Sequence, residues 1–404
     1  MGTDNMADDA KLQVANMLSA SARSDIESFI VMDVMRQAAE KEARGERVIH
    51  MEVGQPGTPA PALARQAVKH ALDVDSLGYS LALGRPSLRS RISQHYRDFY
   101  NVSVDPDQVV VTTGSSAGFV LSFLALFDAG DRVALPSPGY PCYRHILTAL
   151  GQEPVVIETG PETRWMPTAD DVEKLARNGG LQGLLIASPA NPTGTMLEPS
   201  RLAEIASVCD RYGVRFISDE IYHGLSYEMP SATLLAYSDS GVVINSFSKY
   251  FSMTGWRVGW MVIPKSLVRP VERLAQNFFI SAPSVSQVAA EAAFDANDEL
   301  KSNCAVYAQN RSVLLEGLPN AGFDKLVPAD GAFYLYCDMS AETQDSRAFA
   351  KRVLDETGVA VTPGVDFDPT RGNNFIRFSY AGATADMVEA VERLAAWRGT
   401  GGIV

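Results

Sequence analysis

The sequence has little of what disulfide frameworks, zinc sites and membrane spans require. It contains four cysteines in 404 residues, with no Cys-x-x-Cys pair, and its five histidines are scattered. This pattern argues against a disulfide or metal scaffold and indicates a reducing compartment. No apolar run approaches the roughly 20 residues of a membrane helix, and the first residues lack the apolar segment of a secretory signal. We therefore expect a cytoplasmic protein without a metal.

Positive charge is also scarce. The chain has 35 Lys and Arg residues against 48 Asp and Glu residues, which gives a formal net charge of −13. Binding to nucleic acid or to an anionic membrane needs clustered cations, so neither is expected as a partner. With 46% hydrophobic and 21% charged residues, the composition is that of an ordinary globular protein.

Short apolar runs rich in β-branched residues alternate with helix-period segments in the middle of the chain. Continuous apolar runs are typical of parallel strands covered on both faces, and strand–helix alternation builds βαβ units. The fold class is therefore predicted to be α/β, with a mostly parallel mixed sheet sandwiched by helices. The predicted strands are Val109–Thr113, Arg132–Leu135, Leu184–Ala187, Arg215–Ser218 and Val242–Asn245.

From about Lys301 onward the pattern changes. A long helix-period segment is followed by a strand-like run, a helix, a second strand-like run and a closing helix, which is typical of a smaller α+β domain. The predicted boundaries give a flexible tail at residues 1–23, an N-terminal segment that packs with the small domain at 24–53, a large ligand-binding domain at 54–296 and a small C-terminal domain at 297–404.

Polar residues follow the predicted strands where a ligand would be expected. In an open parallel sheet, ligands bind outside the carboxyl ends of the strands. The residues found there are suited to pyridoxal 5′-phosphate: a carboxylate for the pyridine nitrogen, donors for the phenolate oxygen, hydroxyls and an arginine for the phosphate, and a lysine for the aldehyde. They are Gly114-Ser115-Ser116, Asn191, Asp219, Tyr222 and Ser246-Phe247-Ser248-Lys249 with Arg257.

The chain resembles the class I/II aminotransferases, the aspartate-aminotransferase superfamily of fold type I pyridoxal-phosphate enzymes. The resemblance extends from about Ser24 to Arg398, and its motifs stand in family order. They are Val53-Gly54-Gln55-Pro56, Tyr79 with Gly84 and Leu88-Arg89, Gly114-Ser115-Ser116, Pro138-Gly139-Tyr140-Pro141, Asn191-Pro192-Thr193-Gly194, Asp219-Glu220-Ile221-Tyr222, Ser246-Phe247-Ser248-Lys249, Gly255-Trp256-Arg257-Val258-Gly259, Gly331-Ala332-Phe333-Tyr334 and Phe375-Ile376-Arg377-Phe378-Ser379.

The resemblance implies a role for each matching residue. Lys249 would form the Schiff base and shuttle a proton, and Asp219 would bind the pyridine nitrogen. Asn191 and Tyr222 would bind the phenolate oxygen, with Tyr222 counted as catalytic beside Lys249 and Asp219. Arg377 would hold the substrate α-carboxylate as a bidentate fork, close to Gly54 and Asn191.

The resemblance also assigns the cofactor phosphate and ring. The phosphate ligands would be Ser115, Ser116, Ser246, Ser248 and Arg257, with Tyr79 reaching across from a second subunit. Tyr140 would stack on the ring. The implied assembly is a homodimer with shared sites. For His223, beside Tyr222, a buried structural histidine is a better interpretation than an acid or base.

The implied activity is transfer of an amino group from an amino acid to a 2-oxo acid by a ping-pong mechanism. The nearest alternative is another reaction on the same fold, such as a carbon–sulfur β-lyase or a decarboxylase, because binding this cofactor does not fix which bond breaks. A regulator that binds the cofactor would need a basic segment ahead of the site motifs, and only a short region precedes Gly54. A nicotinamide dehydrogenase would need a Gly-x-Gly-x-x-Gly turn, which we do not find.

The sequence also bears on the side chain of the amino donor. An acidic donor needs a second cation, yet no Arg or Lys occurs in Leu274–Phe294 or in Gly114–Gly118, where the family is known to place one. Phe29, Phe278 and Phe279 are apolar instead. Since an unpaired buried carboxylate is costly, a neutral aliphatic or aromatic donor is expected. Another arginine, such as Arg23 or Arg85, is the alternative source of a cation.

Overall fold

A computed structural model describes residues 20–177 and 179–399. The predicted tail at residues 1–23 lies almost entirely outside this part of the chain. The strands in the described residues are β1 Ile49–His50, β2 Val109–Thr112, β3 Arg132–Ser137, β4 Glu153–Glu158, β5 Gly183–Ala187, β6 Arg215–Asp219, β7 Val242–Ser246, β8 Gly259–Val262, β9 Tyr334–Asp338, β10 Val359–Ala360, β11 Thr362–Pro363 and β12 Phe375–Ser379.

Helices connect and cover these strands. Their alternation with the strands in the middle of the chain is the one that the sequence predicted. The helices in the same residues are α1 Ile30–Glu42, α2 Ala62–Val74, α3 Pro86–Tyr100, α4 Gly114–Leu126, α5 Pro141–Leu150, α6 Ala169–Ala176, α7 Pro199–Tyr212, α8 Lys265–Phe278, α9 Ser284–Ala293, α10 Asn297–Asn320, α11 Ser346–Thr357 and α12 Thr384–Gly399.

The large sheet has seven strands in the order β2-β8-β7-β6-β5-β3-β4. β8 runs antiparallel to both of its neighbours, β2 and β7, and the other pairs are parallel. The predicted α/β fold with a mostly parallel mixed sheet is therefore confirmed. Because β2, β5, β6 and β7 run in the same direction, the segments that follow them meet at one edge of the sheet.

Both faces of this sheet are buried, as the continuous apolar runs predicted. In β7, Val243 packs into one hydrophobic cluster, while Val242 and Ile244 pack into another. Alternate residues of a strand point to opposite faces, so these two clusters lie on opposite sides of the sheet. Helices on both sides hold the strand ends in place, and the loops at the carboxyl edge inherit that rigidity.

A second unit is built from the C-terminal third and the start of the described chain. β11, β12 and β9 form a three-stranded antiparallel sheet, and β1 pairs with β10. Val34 and Ala38 of α1 share a small core with Leu354 and Ala360. The N-terminal helix thus packs on the C-terminal part of the chain. The domain boundaries at residues 54 and 297 stay predictions.

Two further features concern membranes and metals. Across residues 20–177 and 179–399, no helix has both the length and the apolar character needed to cross a bilayer. The same residues contain no cluster of three or more His, Cys, Asp or Glu side chains that could hold a metal ion. The four cysteines are unpaired.

The burial of the sheet leads to a stability prediction. Ile244→Ala would leave a cavity in a site that is 0% exposed, so we expect a loss of about 2–5 kcal/mol in the free energy of unfolding. Val156→Ala in the edge strand β4 is the matched control; its side chain is 59% exposed, and the change should cost no more than about 0.5 kcal/mol. Urea denaturation followed by circular dichroism measures both, and equal losses would contradict the assignment of the core.

Candidate active site

A cavity opens between the carboxyl edge of the large sheet and the small antiparallel sheet. It brings together residues from segments that are far apart in the sequence. The predicted site residues that line it are Gly54, Ser115, Ser116, Tyr140, Asn191, Asp219, Tyr222, Ser248, Lys249, Arg257 and Arg377.

Lys249 follows β7 and lies in the cavity. Its ammonium group donates a hydrogen bond to the Gly54 carbonyl oxygen at 2.5 Å. Burial lowers the pKa of Lys249 to about 8, and the positive charges of Arg377 and Arg257 act in the same direction. A lysine that loses its proton this close to neutral pH can act as a nucleophile toward an aldehyde.

Asp219 ends β6 and is 3% exposed. The Tyr143 hydroxyl donates to Oδ2, and the Ile221 amide donates to Oδ1 at 3.0 Å. Burial raises the pKa of Asp219 to about 6, and these two hydrogen bonds oppose that rise. A buried carboxylate oriented by two donors is suited to hold a protonated ring nitrogen.

Arg377 in β12 is a buried cation without a carboxylate partner in the described residues, being 2% exposed. Its Nη1 donates to Asn191 Oδ1 at 2.9 Å, and its Nη2 donates to Thr362 Oγ1 at 3.0 Å and to the Glu52 carbonyl oxygen. Its Nε has no partner.

Two aromatic rings lie against the Arg377 guanidinium and restrict its movement. The Tyr334 ring lies 4.4 Å from the guanidinium carbon and the Phe367 ring lies 4.7 Å from it. A buried charge is expensive unless it is paired. The orphan Nε and the lack of a directly paired carboxylate in the described chain therefore indicate a site for an anionic ligand group.

The first turn of α4 is the second part of the cavity that is suited to bind an anion. Ser115 and Ser116 line the cavity there. A Cβ atom on Gly114 (φ +70°) would stand 2.4 Å from Nη2 of Arg257, so glycine lets the guanidinium lie against the helix start. Arg257 forms no ion pair within the described chain. A cation beside the positive end of a helix dipole is unfavourable unless an anion joins them, which fits a phosphate.

Asn191 and Tyr222 are held by hydrogen bonds to neighbours. Asn191 Oδ1 accepts from Arg377, which leaves its Nδ2 amide as a donor for a ligand. The Tyr222 and Tyr334 hydroxyls are 2.8 Å apart. A Cβ atom on Gly54 would stand 1.6 Å from the Tyr334 hydroxyl oxygen, so only glycine fits at that position.

Two predicted phosphate ligands lie outside the cavity. Ser246 is placed behind it, where its hydroxyl accepts from the Ser248 amide at 3.1 Å and bonds the Ser248 hydroxyl at 2.9 Å. Tyr79 is 84% exposed and belongs to a separate surface hollow around residues 75–81. Within this single chain, Ser248 therefore lines the cavity and Ser246 supports it from behind.

His223 faces away from the cavity and joins two of its loops. Its Nε2–H donates to the Ser188 carbonyl oxygen at 2.9 Å, and its Nδ1 accepts from the Tyr100 hydroxyl at 2.7 Å. Burial lowers the pKa of His223 to about 3, so the ring is neutral. The residue ties the segment after β5 to the segment after β6, which is a structural role.

The sequence analysis missed several residues of the site. Tyr143, which orients Asp219, lies one helical turn after Tyr140 at the start of α5; that spacing was a usable signal. Tyr334 stands in a quoted motif, but no role was assigned to it. The apolar lining residues without an assigned role are Val31, Met32, Val53, Phe119 and Ile221, and they lie with Phe29, which the sequence did indicate.

Comparisons with known proteins agree with this geometry. The sequence model of the family "Aminotransferase class I and II" matches residues 46–394. The valine–pyruvate aminotransferase of Mycobacterium tuberculosis is 51% identical over 93% of this chain and 97% of its own length. The crystal structure of an aminotransferase from Mycobacterium tuberculosis has a TM-score of 0.92 at 49% identity, covering 95% of this chain and 99% of that one.

A more distant structure has the same architecture. The aspartate aminotransferase of Thermus thermophilus with maleate has a TM-score of 0.87 at 29% identity, covering 94% of this chain and 99% of that one. The predicted activity is thereby confirmed: the protein is an aminotransferase, with amino acids and 2-oxo acids as substrates. Members of this family use pyridoxal phosphate. The chain belongs to the class I and II aminotransferases, fold type I enzymes.

Proposed function

We propose that the chain binds pyridoxal phosphate as a Schiff base on Lys249 and transfers the amino group of amino acids with neutral side chains to a 2-oxo acid. The observation that carries the proposal is the electrostatics of one cavity. Two arginines without a carboxylate partner in the described residues, Arg257 and Arg377, line it together with a lysine whose pKa both lower. Such a cavity calls for two anionic groups, a phosphate and a carboxylate.

Each of the other residues would bind a different part of the cofactor. Asp219, oriented by Tyr143, would keep the ring nitrogen protonated, and Asn191 and Tyr222 would donate to the phenolate oxygen. Tyr140 would stack on the ring. The phosphate would be held by Ser115, Ser116, Ser248 and Arg257, with Ser246 behind them. When bound, the cofactor supplies an electron sink for the negative charge that develops at the α-carbon of an amino acid.

Lys249 and Arg377 would act on the substrate. Arg377 would bind the α-carboxylate through the N–H groups that its protein partners leave free, on Nε and Nη1, in an orientation fixed by Asn191 and Thr362. The Nζ amine of Lys249, which lies beside the Gly54 carbonyl, would be the base that takes the proton from the substrate α-carbon and the acid that gives it back. A pKa of about 8 lets this amine act as a base near neutral pH.

The cavity lining supports a neutral side chain. Its charged residues are Asp219, Lys249, Arg257 and Arg377, each with a role already proposed. Arg85, one alternative cation, pairs with Asp75 at 3.2 Å, and neither Arg85 nor Arg23 lines the cavity. A distal carboxylate would meet Phe29, Val31 and Met32 instead. The relative named valine–pyruvate aminotransferase supports the same substrate class.

A homodimer with shared sites is part of the proposal. Tyr79 is 84% exposed and Leu81, close to it in sequence, is 61% exposed. Phe278 at the end of α8 and Ile280 just after it are 55% and 51% exposed. Large exposed apolar side chains are typical of protein interfaces. In such a dimer, Tyr79 would reach the cofactor phosphate of the other subunit. A cytoplasmic location is proposed on the unpaired state of the four cysteines.

The covalent link can be tested directly. Lys249→Ala should abolish the adduct that borohydride traps between protein and cofactor, because no other amine lines the cavity in the described residues. Peptide mass spectrometry locates the adduct. Lys265→Ala, at a surface lysine paired with Asp105, is the control and should retain it. An adduct that survives on the Lys249 variant would refute the proposal.

The buried carboxylate predicts a pH-dependent stability effect. In the cofactor-free protein the pKa of Asp219 rises from 3.8 to about 6, so folding binds a proton and wild-type stability falls as pH rises through this window. Asp219→Asn removes this dependence. The variant should therefore gain about 2 kcal/mol relative to wild type between about pH 4.5 and about pH 7.5. Urea titrations across that range measure the difference, and parallel stability curves would contradict the shift.

The substrate class can be tested by steady-state kinetics with pyruvate or 2-oxoglutarate as acceptor. We expect kcat/KM for leucine, valine or phenylalanine to exceed that for aspartate by at least about tenfold, or about 1.4 kcal/mol. The physical reason is the cost of burying an unpaired carboxylate. If aspartate proved to be the best donor, the neutral-side-chain proposal would be wrong.

A further inference from the structure

The first turn of α1 is capped by a residue from the other end of the chain. The amides of Ile30 and Val31 donate to Oδ1 and Oδ2 of Asp366 at 3.2 Å and 3.3 Å. The preceding residue, Phe29, provides no side-chain cap. Asp366 is 1% exposed, so solvent does not replace it. The start of α1 is therefore fixed by the segment Gly364–Asp366 rather than by its own sequence.

This first turn is also a wall of the cavity. Phe29, Val31 and Met32 line it, and they flank or include the two capped amides. The Phe29 ring packs edge-on against Tyr140, with ring centres 5.7 Å apart and an angle of 87°. The position of the apolar wall over the substrate space thus depends on the two hydrogen bonds to Asp366.

The cap also decides the charge at this wall. An unoccupied helix N-terminus attracts carboxylates, because its free N–H groups and its dipole both favour negative charge. Here the carboxylate of Asp366 occupies both N–H groups and adds a fixed negative charge. The nearby cation Arg144 donates to the Asp366 backbone oxygen at 2.8 Å, lies 3.9 Å from Glu27 and does not line the cavity.

We propose that Asp366 is a positioning residue that determines substrate specificity. It holds Phe29, Val31 and Met32 as an apolar wall for neutral side chains, and it denies the helix start to a distal carboxylate of an acidic substrate. The inference rests on the proposed function in one respect: the substrate side chain extends toward this wall when its α-carboxylate is on Arg377.

Two unreactive acids test the proposal on the holoenzyme. Isovalerate places a branched apolar group where succinate places a second carboxylate, and calorimetry gives Kd for each. Asp366→Asn keeps one acceptor oxygen for the helix but removes the charge. We expect Asp366→Asn to lower the Kd of succinate at least about threefold and to change the Kd of isovalerate less than about twofold. Asp366→Ala also removes the cap, and should raise the Kd of isovalerate about fivefold.

The matched control is Asp33→Asn. Asp33 lies in the first turn of the same helix, but it is paired with Arg36 at the surface and does not cap the amides. Its removal should leave both Kd values unchanged within about twofold. In steady-state kinetics, the ratio of kcat/KM for leucine to that for aspartate should fall in Asp366→Asn and stay constant in Asp33→Asn.

The outcomes separate this inference from the proposed function. Equal changes for both acids in Asp366→Asn, or no change, would overturn the role of Asp366 even if wild type transaminates neutral amino acids. A wild type without such activity that still shows the shift in succinate affinity would refute the substrate class and leave the inference standing. If neither Asp366 variant folds, Phe29→Ala replaces them. It should raise the Kd of isovalerate and leave that of succinate unchanged. An unchanged Kd for isovalerate would contradict the role of the apolar wall.

Discussion

The guanidinium of Arg377 is a buried positive charge with no carboxylate in direct contact in the described chain, and the arrangement of the site follows from how it is held. Its partners are neutral groups from three separate segments: the Asn191 amide after β5, the Glu52 carbonyl and the Thr362 hydroxyl in β11. These contacts join the edge of the large sheet to the small antiparallel sheet. Burying a charge in this way costs free energy that a carboxylate ligand would recover, so an anionic ligand bound there would stabilise the contact between the two sheets.

Other ionisable groups of the cavity are also held in electrostatically unfavourable surroundings. Burial raises the pKa of Asp219 and lowers that of Lys249, which brings both close to neutral pH. Arg257 stands at the start of α4, where the helix dipole disfavours a cation. Each of these groups is less stable alone than it would be with the ligand that complements it. Sites that store such unfavourable electrostatics are the ones that bind and react.

Residues behind the cavity keep this arrangement in place. Tyr143 and the Ile221 amide orient Asp219, Ser246 supports Ser248, and His223 ties two loops together. The contacts of Ile221 with Asp219 and of Ser248 with Ser246 are local, whereas those of Tyr143 and His223 depend on partners that the fold brings near. The apolar wall of the cavity is fixed from much further along the chain, since Ile30 and its cap at Asp366 are 336 positions apart.

The sequence by itself determined the α/β class, because apolar runs that alternate with helix-period segments are local signals, and it located Lys249, Asp219 and Asn191, because strand ends carry ligand residues in a parallel sheet. Only the tertiary structure decided the antiparallel course of β8, the place of Ser246 behind the cavity and the partners of Arg377 and Asp366. The physical reason is that these features depend on how segments distant in the chain pack against one another. The energies of these arrangements depend on which groups the packed core excludes from water. The periodicity of the local sequence does not determine this.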